Sequence, residues 1–370
     1  MKSSGAGVLN LATEGPVLII GTGLLGTSIA LRLRAAGVPV YLRDISPVAQ
    51  NLARDLGAGS TEAITDPKLV VVAAPPDVTG ALVRDALDEF PSAIVTDVAS
   101  VKMPVQEAVS DHPSADRWVG SHPMAGKERS GAIAADADLF IGRPWVIVTN
   151  EGTDSSAALM VRNLAVDMGA AVVNMAAEAH DHAVAVISHM PQLMSSLVAG
   201  ALRNEDAQAL GLAGQGLRDV TRIAHSDPLL WTSIVAGNRR EIAGVLSGIQ
   251  AQLGQLIASI ESERGLDVVS GTIHQGNLGV ARIPGKHGGA PARYGEVTVL
   301  VPDTPGELAR MLTDVGELQV NIEDLTLEHS FSQPVGRAII SVMPARAREL
   351  EIGLEERGWR IVSSLDDAGK

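Results

Sequence analysis

The sequence predicts an α/β protein in three parts: a doubly wound sheet, an all-helical part, and a small C-terminal βαββαβ unit. Three observations predict it. From Pro16 to about residue 150, short unbroken apolar runs alternate with helix-length segments. Residues 156–282 are then rich in Ala, Leu, Val and Ile, with few strong breakers. After a Gly- and Pro-dense stretch at 283–294, strand and helix patterns alternate again on a smaller scale. A chain of 370 residues has room for such a plan, at about 100–200 residues per domain.

The first part, 1–155, carries apolar runs at 17–20, 38–42, 69–74, 94–96, 118–120 and 146–149. Runs of Val, Ile and Leu without alternation suit strands buried on both faces of a parallel sheet. Helices are expected between them at 24–36, 47–56, 77–89 and 101–110. In the second part, 156–282, Ser226-Asp227-Pro228 is a helix start, and the pattern runs on to about Arg264. A helix of about 35 residues spans ~50 Å, too long for its own small domain to cover. That predicts a homodimer interface; a monomeric helical domain is the alternative. Residues 283–294 read as a linker. In the last part, 295–370, strands are expected at 295–301, 320–328, 336–344 and 359–363, with helices at 304–315 and 345–358. That order is ferredoxin-like.

Composition removes several functions. Lys and Arg number 29 against 43 Asp and Glu, a net charge of −14, which opposes binding to nucleic acid phosphates. Nine aromatic residues are too few for base-stacking platforms. With no cysteine there is no disulfide, thiolate nucleophile or thiolate zinc site. No long run of apolar residues free of charge or turn-formers predicts a membrane span, and the first residues read as a short disordered lead-in. A soluble cytoplasmic protein is expected.

The motif GTGLLG at 21–26 follows a strand and opens a helix. Gly21 permits a tight turn, Gly23 lets a pyrophosphate approach the backbone, and Gly26 allows close helix–strand packing. Thr22, Leu24 and Leu25 complete this Rossmann-type phosphate loop, whose helical N–H groups face the anion. Asp44, at the end of the second strand, would accept the ribose hydroxyls and favours NAD over NADP. Arg43 beside it could instead serve a 2′-phosphate.

Polar clusters lie just past predicted strand ends, where open α/β sheets bind ligands. They bring a hydroxyl (Ser100), an imidazole (His122) and a carboxylate (Glu128) towards the nicotinamide end. Oxidation of a carbinol needs a base for the hydroxyl proton, and histidine titrates in the right range; a structural histidine is the other reading of His122. The helical part adds His180-Asp181-His182, Ser188-His189 and Arg222. Histidines at i and i+2 point to different faces, and HExxH spacing is absent, so no metal is expected. Arg222 is either a bidentate carboxylate ligand or half of an ion pair with Asp219 or Asp227.

Taken in order, GTGLLGTSIA, DVASVK (97–102), SHPMAGKERSG (121–131) with LFIGRPWVIV, HDHAVAVISHMP (180–191) and GLRDVTRIAHSDPLLW (216–231) closely resemble the prephenate dehydrogenase family of tyrosine biosynthesis. The C-terminal VPDTPGELARML and VNIEDL resemble an ACT regulatory domain. The resemblance implies that His122 accepts the proton of the substrate's ring hydroxyl and that Ser100 hydrogen-bonds near it. It implies that Glu128 sits at the mouth of the site and Arg222 binds a substrate carboxylate. Asp181, Ser188, His189 and Trp231 also match.

Two positions depart from the family pattern. Lys127 stands where some members have Thr, and Gln192 replaces a second substrate-facing His. A neutral Gln192 relaxes repulsion of the arogenate ammonium, so arogenate stands beside prephenate as a substrate. The ACT-like part implies amino-acid binding, with L-tyrosine as effector, at Asp303, Gly306, Asn321 and Ile322; a dimerising domain without ligand is the alternative. A β-hydroxyacid dehydrogenase would place a Lys base in the helical part, and 156–263 contains no Lys. A non-catalytic NAD and amino-acid sensor would not need Ser100, His122 and Arg222 together.

Overall fold

Four-residue runs of branched side chains build the first sheet. In the computed structural model, which describes residues 11–127, 129–262, 266–284, 294–329 and 335–362, β1 (Val17–Ile20) and β3 (Leu69–Val72) are buried along their whole length. They are neighbours, the second and third strands of the sheet. The order of elements is β1, α1 (Leu24–Ala35), β2 (Val40–Arg43), α2 (Pro47–Asp55), β3, α3 (Pro76–Glu89), β4 (Ile94–Asp97), α4 (Met103–Val109), β5 (Trp118–Pro123) and β6 (Pro144–Val148). Helix α5 (Ser155–Asp167) and β7 (Ala171–Asn174) follow. The seven strands lie in the order β2-β1-β3-β4-β5-β6-β7, so the chain reverses direction between β1 and β3. Such a switch point opens a crevice at the carboxyl ends of the strands.

Three expectations change here. The sheet is not wholly parallel, because β6 pairs antiparallel to β5. Helix α5 and strand β7, read from composition as the start of the helical part, belong to the sheet, with β7 parallel to β6. Short exposed AVVN at its edge lacks the apolar run that marked the inner strands. The long helix after Pro228 is broken into α10 (Pro228–Gly237) and α11 (Arg239–Ile260). Asn238 leaves the helical region, with φ −121° and ψ 28°, and its buried amide is tied elsewhere.

Between β7 and α10 run α6 (Ala177–Val184), α7 (Met190–Ala201), α8 (Ala207–Leu210) and α9 (Gln215–Thr221). Ala185–His189, between α6 and α7, is one wide π turn in which the Met190 N–H reaches the Ala185 carbonyl. Pro191 in the first turn of α7 has no N–H to continue the ordinary ladder. By length and composition alone, Ala177–Asn204 is apolar enough to cross a membrane. It nevertheless buries His180, Asp181, His189 and Gln192.

After α12 (Leu266–Val280) come β8 (Gly295–Pro302), α13 (Glu307–Glu317), β9 (Asp324–His329), β10 (Val335–Val342), α14 (Pro344–Glu356) and β11 (Arg360–Val362). Their sheet is antiparallel in the order β11-β8-β10-β9, the expected βαββαβ plan. Its own core gathers Val299, Met311, Ile340 and Leu354. Strand β9 starts at Asp324, later than expected, because the chain first turns through Gln319 at φ 54°. Most of the expected linker, 285–293, lies outside the described residues.

Contacts divide the chain into two compact units, Met1–Glu205 with Val220–Gln250, and Asp206–Asp219 with Ala251–Lys370. The large sheet, α6, α7 and α10 belong to the first, the four-stranded sheet to the second.

Candidate active site

The phosphate loop sits in the crevice between β1 and α1. Gly21 holds φ +100°, and a Cβ there would lie 2.3 Å from the Ala73 carbonyl oxygen. A Cβ on Gly26 would lie 2.0 Å from the Gly21 oxygen. The loop therefore excludes any side chain at both positions. A Cβ at Gly23, by contrast, would meet nothing within 4 Å; the backbone there is open, as a pyrophosphate requires. Asp44 reaches the loop from β2, where its carboxylate accepts the Thr22 N–H at 2.6 Å and the Thr22 hydroxyl at 2.8 Å. Arg43 turns the other way. Its guanidinium is bidentate to Glu89, at 2.6 and 2.8 Å, and lies over the Phe90 ring.

Two cavities open on this unit. One, of about 590 Å³, is lined by Gly23, Leu24, Leu25 and the Ala73–Asp77 turn. The other, of about 720 Å³, is lined by Ser188, His189, Gln192, Arg222 and Trp231. Ser100 and His122 line both, as do Gly126 and Lys127. The hydroxyl and imidazole singled out in the sequence thus stand where a nucleotide-shaped cleft meets a second cleft. Lys127 is exposed and paired to Asp136 at 3.0 Å. Glu128 lies outside the described residues.

His122 ends β5 and is buried. Its Nδ1 lies 2.8 Å from Nε2 of His180, whose Nδ1 lies 2.7 Å from Oδ1 of Asp181. Burial first, and then the electrostatic influence of His180, Lys102 and His189, holds His122 well below the ordinary imidazole value. It is therefore neutral and able to accept a proton near pH 7. His189 is pushed down to about 4, mainly by burial. The Asn238 amide donates to its Nδ1 at 3.2 Å, so the neutral ring carries its proton on Nε2. Asn238 also donates to the Asp181 carbonyl at 2.7 Å. The break between α10 and α11 is what supplies this amide.

Lys102, overlooked in the sequence although DVASVK contains it, is fully buried. It donates to the equally buried Asp97 and, at 2.7 Å, to the Ser121 carbonyl. Asp97 also accepts from the Trp118 indole at 3.1 Å and the Ala99 N–H at 3.1 Å. This network fixes the turn that carries Ser100 beside β5. His180 opens the motif HDHAVAVISHMP, but the sequence assigned it no role beyond a rejected metal cluster. As expected for i and i+2, its neighbour His182 faces away, towards Glu241 at 2.8 Å. No single-residue signal announces burial of a Lys or pairing of two His 58 positions apart in sequence.

In the second unit, Gly306 takes φ +95° before α13, and Ile322 lines a shallow cavity of about 650 Å³ with Tyr294 and Asp324. Asp303 and Gly306 are not among its lining residues.

Comparison with known proteins joins this geometry to a family. Residues 29–174 match the prephenate dehydrogenase nucleotide-binding domain and 176–271 the dimerization domain of the same family. A probable prephenate dehydrogenase, NovF, of Streptomyces niveus is 35% identical over 92% of this chain and 98% of its own. The chain belongs to the prephenate dehydrogenase family. Its expected class, an NAD-dependent oxidoreductase with a Rossmann-type sheet and a helical dimerisation part, holds with that membership. Two solved members of related fold are similar to it. The Aquifex aeolicus prephenate dehydrogenase in complex with hydroxyphenyl propionate and NAD⁺ has a TM-score of 0.60 at 28% identity, covering 71% of this chain and 97% of that one. The Synechocystis arogenate dehydrogenase has 0.60 at 28%, covering 71% and 98%.

Proposed function

We propose that the chain is a cytoplasmic prephenate dehydrogenase that oxidises the ring carbinol of prephenate and releases its ring carboxylate as CO₂, giving 4-hydroxyphenylpyruvate. The observation that carries this is the junction of the two cavities at Ser100 and His122 in a chain of this family. NAD supplies the acceptor for the ring hydride. The open backbone at Gly23, the turn at Gly21, Thr22 and Gly26, and the Asp44 carboxylate would hold it, with Leu24 and Leu25 along the cleft. Arg43, engaged by Glu89, is withdrawn from a 2′-phosphate, which favours NAD over NADP.

The residues then divide the work. Ser100 hydrogen-bonds the ring hydroxyl and His122 Nε2 removes its proton. The His189 Nε2–H, Ser188 and Arg222 receive the substrate's carboxylates, the guanidinium bidentately. Gln192, buried in the cavity wall, faces the side chain, while Lys127 and Glu128 belong to the mouth. Loss of CO₂ makes the ring aromatic, so the step does not reverse. The main task of the protein is alignment of the carbinol carbon and its charges.

NADH appearance at 340 nm, with prephenate and arogenate each offered NAD⁺ and NADP⁺, tests this reading. Prephenate with NAD⁺ should give the highest kcat/KM; silence in all four combinations overturns it. A preference for arogenate would follow from the neutral Gln192. Arg222→Gln should raise KM for the substrate about tenfold or more with kcat little changed, since a charge-assisted bidentate bond is lost. An unchanged KM would make Arg222 structural.

We also read the chain as three functional parts, with the βαββαβ unit as an ACT-like regulatory domain that binds L-tyrosine around Asp303, Gly306, Asn321 and Ile322. The strand order supports this, as does the left-handed Gly306 at the start of α13. Calorimetric titration of the full chain with L-tyrosine should give heat that Gly306→Val abolishes. Heat that survives this substitution and vanishes with saturating prephenate would place tyrosine in the active site instead.

A further inference from the structure

We propose that His180 and Asp181 are positioning residues that fix the tautomer of His122, leaving its Nε2 as the proton acceptor. The proposal deepens the reading of His122 as the base and rests on it. The argument starts at Asp181. Its Oδ1 lies 2.8 Å from the Lys102 N–H and its Oδ2 2.8 Å from the Met103 N–H. His180 Nδ1 stands 2.7 Å from the same Oδ1. Two backbone N–H groups can only donate, so both oxygens serve as acceptors, the pattern of a carboxylate. His180 Nδ1 must then be the donor, since two acceptors at 2.7 Å would repel.

With its proton on Nδ1, neutral His180 presents a bare lone pair at Nε2. The only atom facing that lone pair among the described residues is His122 Nδ1, at 2.8 Å. It therefore carries the hydrogen. His122, which lines both cavities, is left with its lone pair on Nε2. With His180 neutral, one assignment satisfies all four atoms of the chain; reversing the His122–His180 link alone would require His180 to carry both protons as a buried imidazolium.

The rings are nearly perpendicular, at 77°, which points one Nε2 lone pair at the other ring's N–H. Every member is buried, so no water competes to scramble the order. The groups facing His122 are Lys102 from the turn after β4, His180 from α6 and His189 from the π turn. None of these carries a negative charge, and Asp181, reached through His180, is the carboxylate that steadies the imidazolium. When the substrate O–H bond breaks, its proton forms the N–H bond at Nε2. The His122 Nδ1–H then donates more strongly to His180, whose own proton stays on the Asp181 side. No proton needs to leave the chain during the step. Sequence spacing places this Asp one residue after the His, so a single turn of α6 delivers both.

The experiment uses the full chain labelled with ¹⁵N-histidine. Resonances assigned through the His122→Asn variant should show His122 protonated at Nδ1 in the wild type; protonation at Nε2 overturns the proposal. His180→Leu should lower kcat about 10²-fold, with KM for substrate and for NAD within twofold, because loss of the orienting partner leaves the wrong tautomer. His180→Gln, whose amide oxygen can accept the Nδ1–H, should recover at least tenfold of that loss. Wild-type turnover in His180→Leu, or no difference between Leu and Gln, also overturns it. The wild-type spectrum stands even where a variant fails to fold. Absence of NADH from the wild type would instead remove the dehydrogenase reading and leave the tautomer result untouched.

Discussion

Replacing His122 with Asn is expected to lower kcat by about 10² or more while leaving the affinity for NAD close to that of the wild type. Asn can occupy the end of β5 and still face His180, but it has no lone pair that takes a proton near pH 7. Asp44 and the phosphate loop are held by their own hydrogen bonds, in which His122 takes no part. Stopped-flow absorbance at 340 nm gives the turnover, and quenching of tryptophan fluorescence gives NAD binding. Near wild-type turnover would remove His122 from the chemistry. The same residue sets the acid limb of the wild-type profile. The neutral ring is the active form, and burial holds its titration well below 6.5. Activity should therefore persist below pH 6.5 and fall only as pH drops through the lowered value; a limb at or above 6.5 contradicts this. Stability has the same sign. Unfolded His takes up its proton near 6.5, whereas His189 in the fold does so at about 4. The stabilisation present above pH 6.5 is thus lost progressively between those values.

Lys102→Met is expected to cost about 3–5 kcal/mol of stability, the penalty for leaving one member of a buried ion pair uncompensated. Both Lys102 and Asp97 are fully buried, so water cannot solvate the stranded carboxylate. Burial lowers the Lys102 titration while Asp97 opposes that shift, which is the signature of a charge kept only by its partner. For a unit of this size the loss lowers Tm by about 10 °C, read by differential scanning fluorimetry or urea unfolding. The double substitution Lys102→Met with Asp97→Asn should recover most of it, since the isolated charge is gone. Loss of less than about 1 kcal/mol, in the range of an exposed pair, would show that the pair contributes no more than a surface one.

The strands of the large sheet were legible because burial on both faces demands unbroken branched apolar runs, and VLII and LVVV have no other use. The phosphate loop was legible because only Gly fits at 21 and 26, where a Cβ would strike backbone. The edges were harder. AVVN carries too little apolar weight to announce β7, and pairing direction leaves no mark on composition, so the antiparallel β6 went unread. The helix break at Asn238 was hidden because Asn is tolerated within helices; what ends the helix is the demand of Asp181 and His189 for an amide.

The site shows the same division. Ser100, His122, His189 and Arg222 were found from chemistry placed after strands and on helices, together with the ordered motifs. Lys102 and His180 were not, because a Lys is ordinarily a solvated surface residue and a His before an Asp has many uses. By itself the sequence determined which segments are buried, where a backbone must approach an anion, and which groups can move a proton. Only the tertiary structure decided which of those groups meet. A hydrogen bond between His122 and His180 depends on two elements far apart in the chain closing to 2.8 Å, and exclusion of water, which gives that contact its direction, exists only once they have packed.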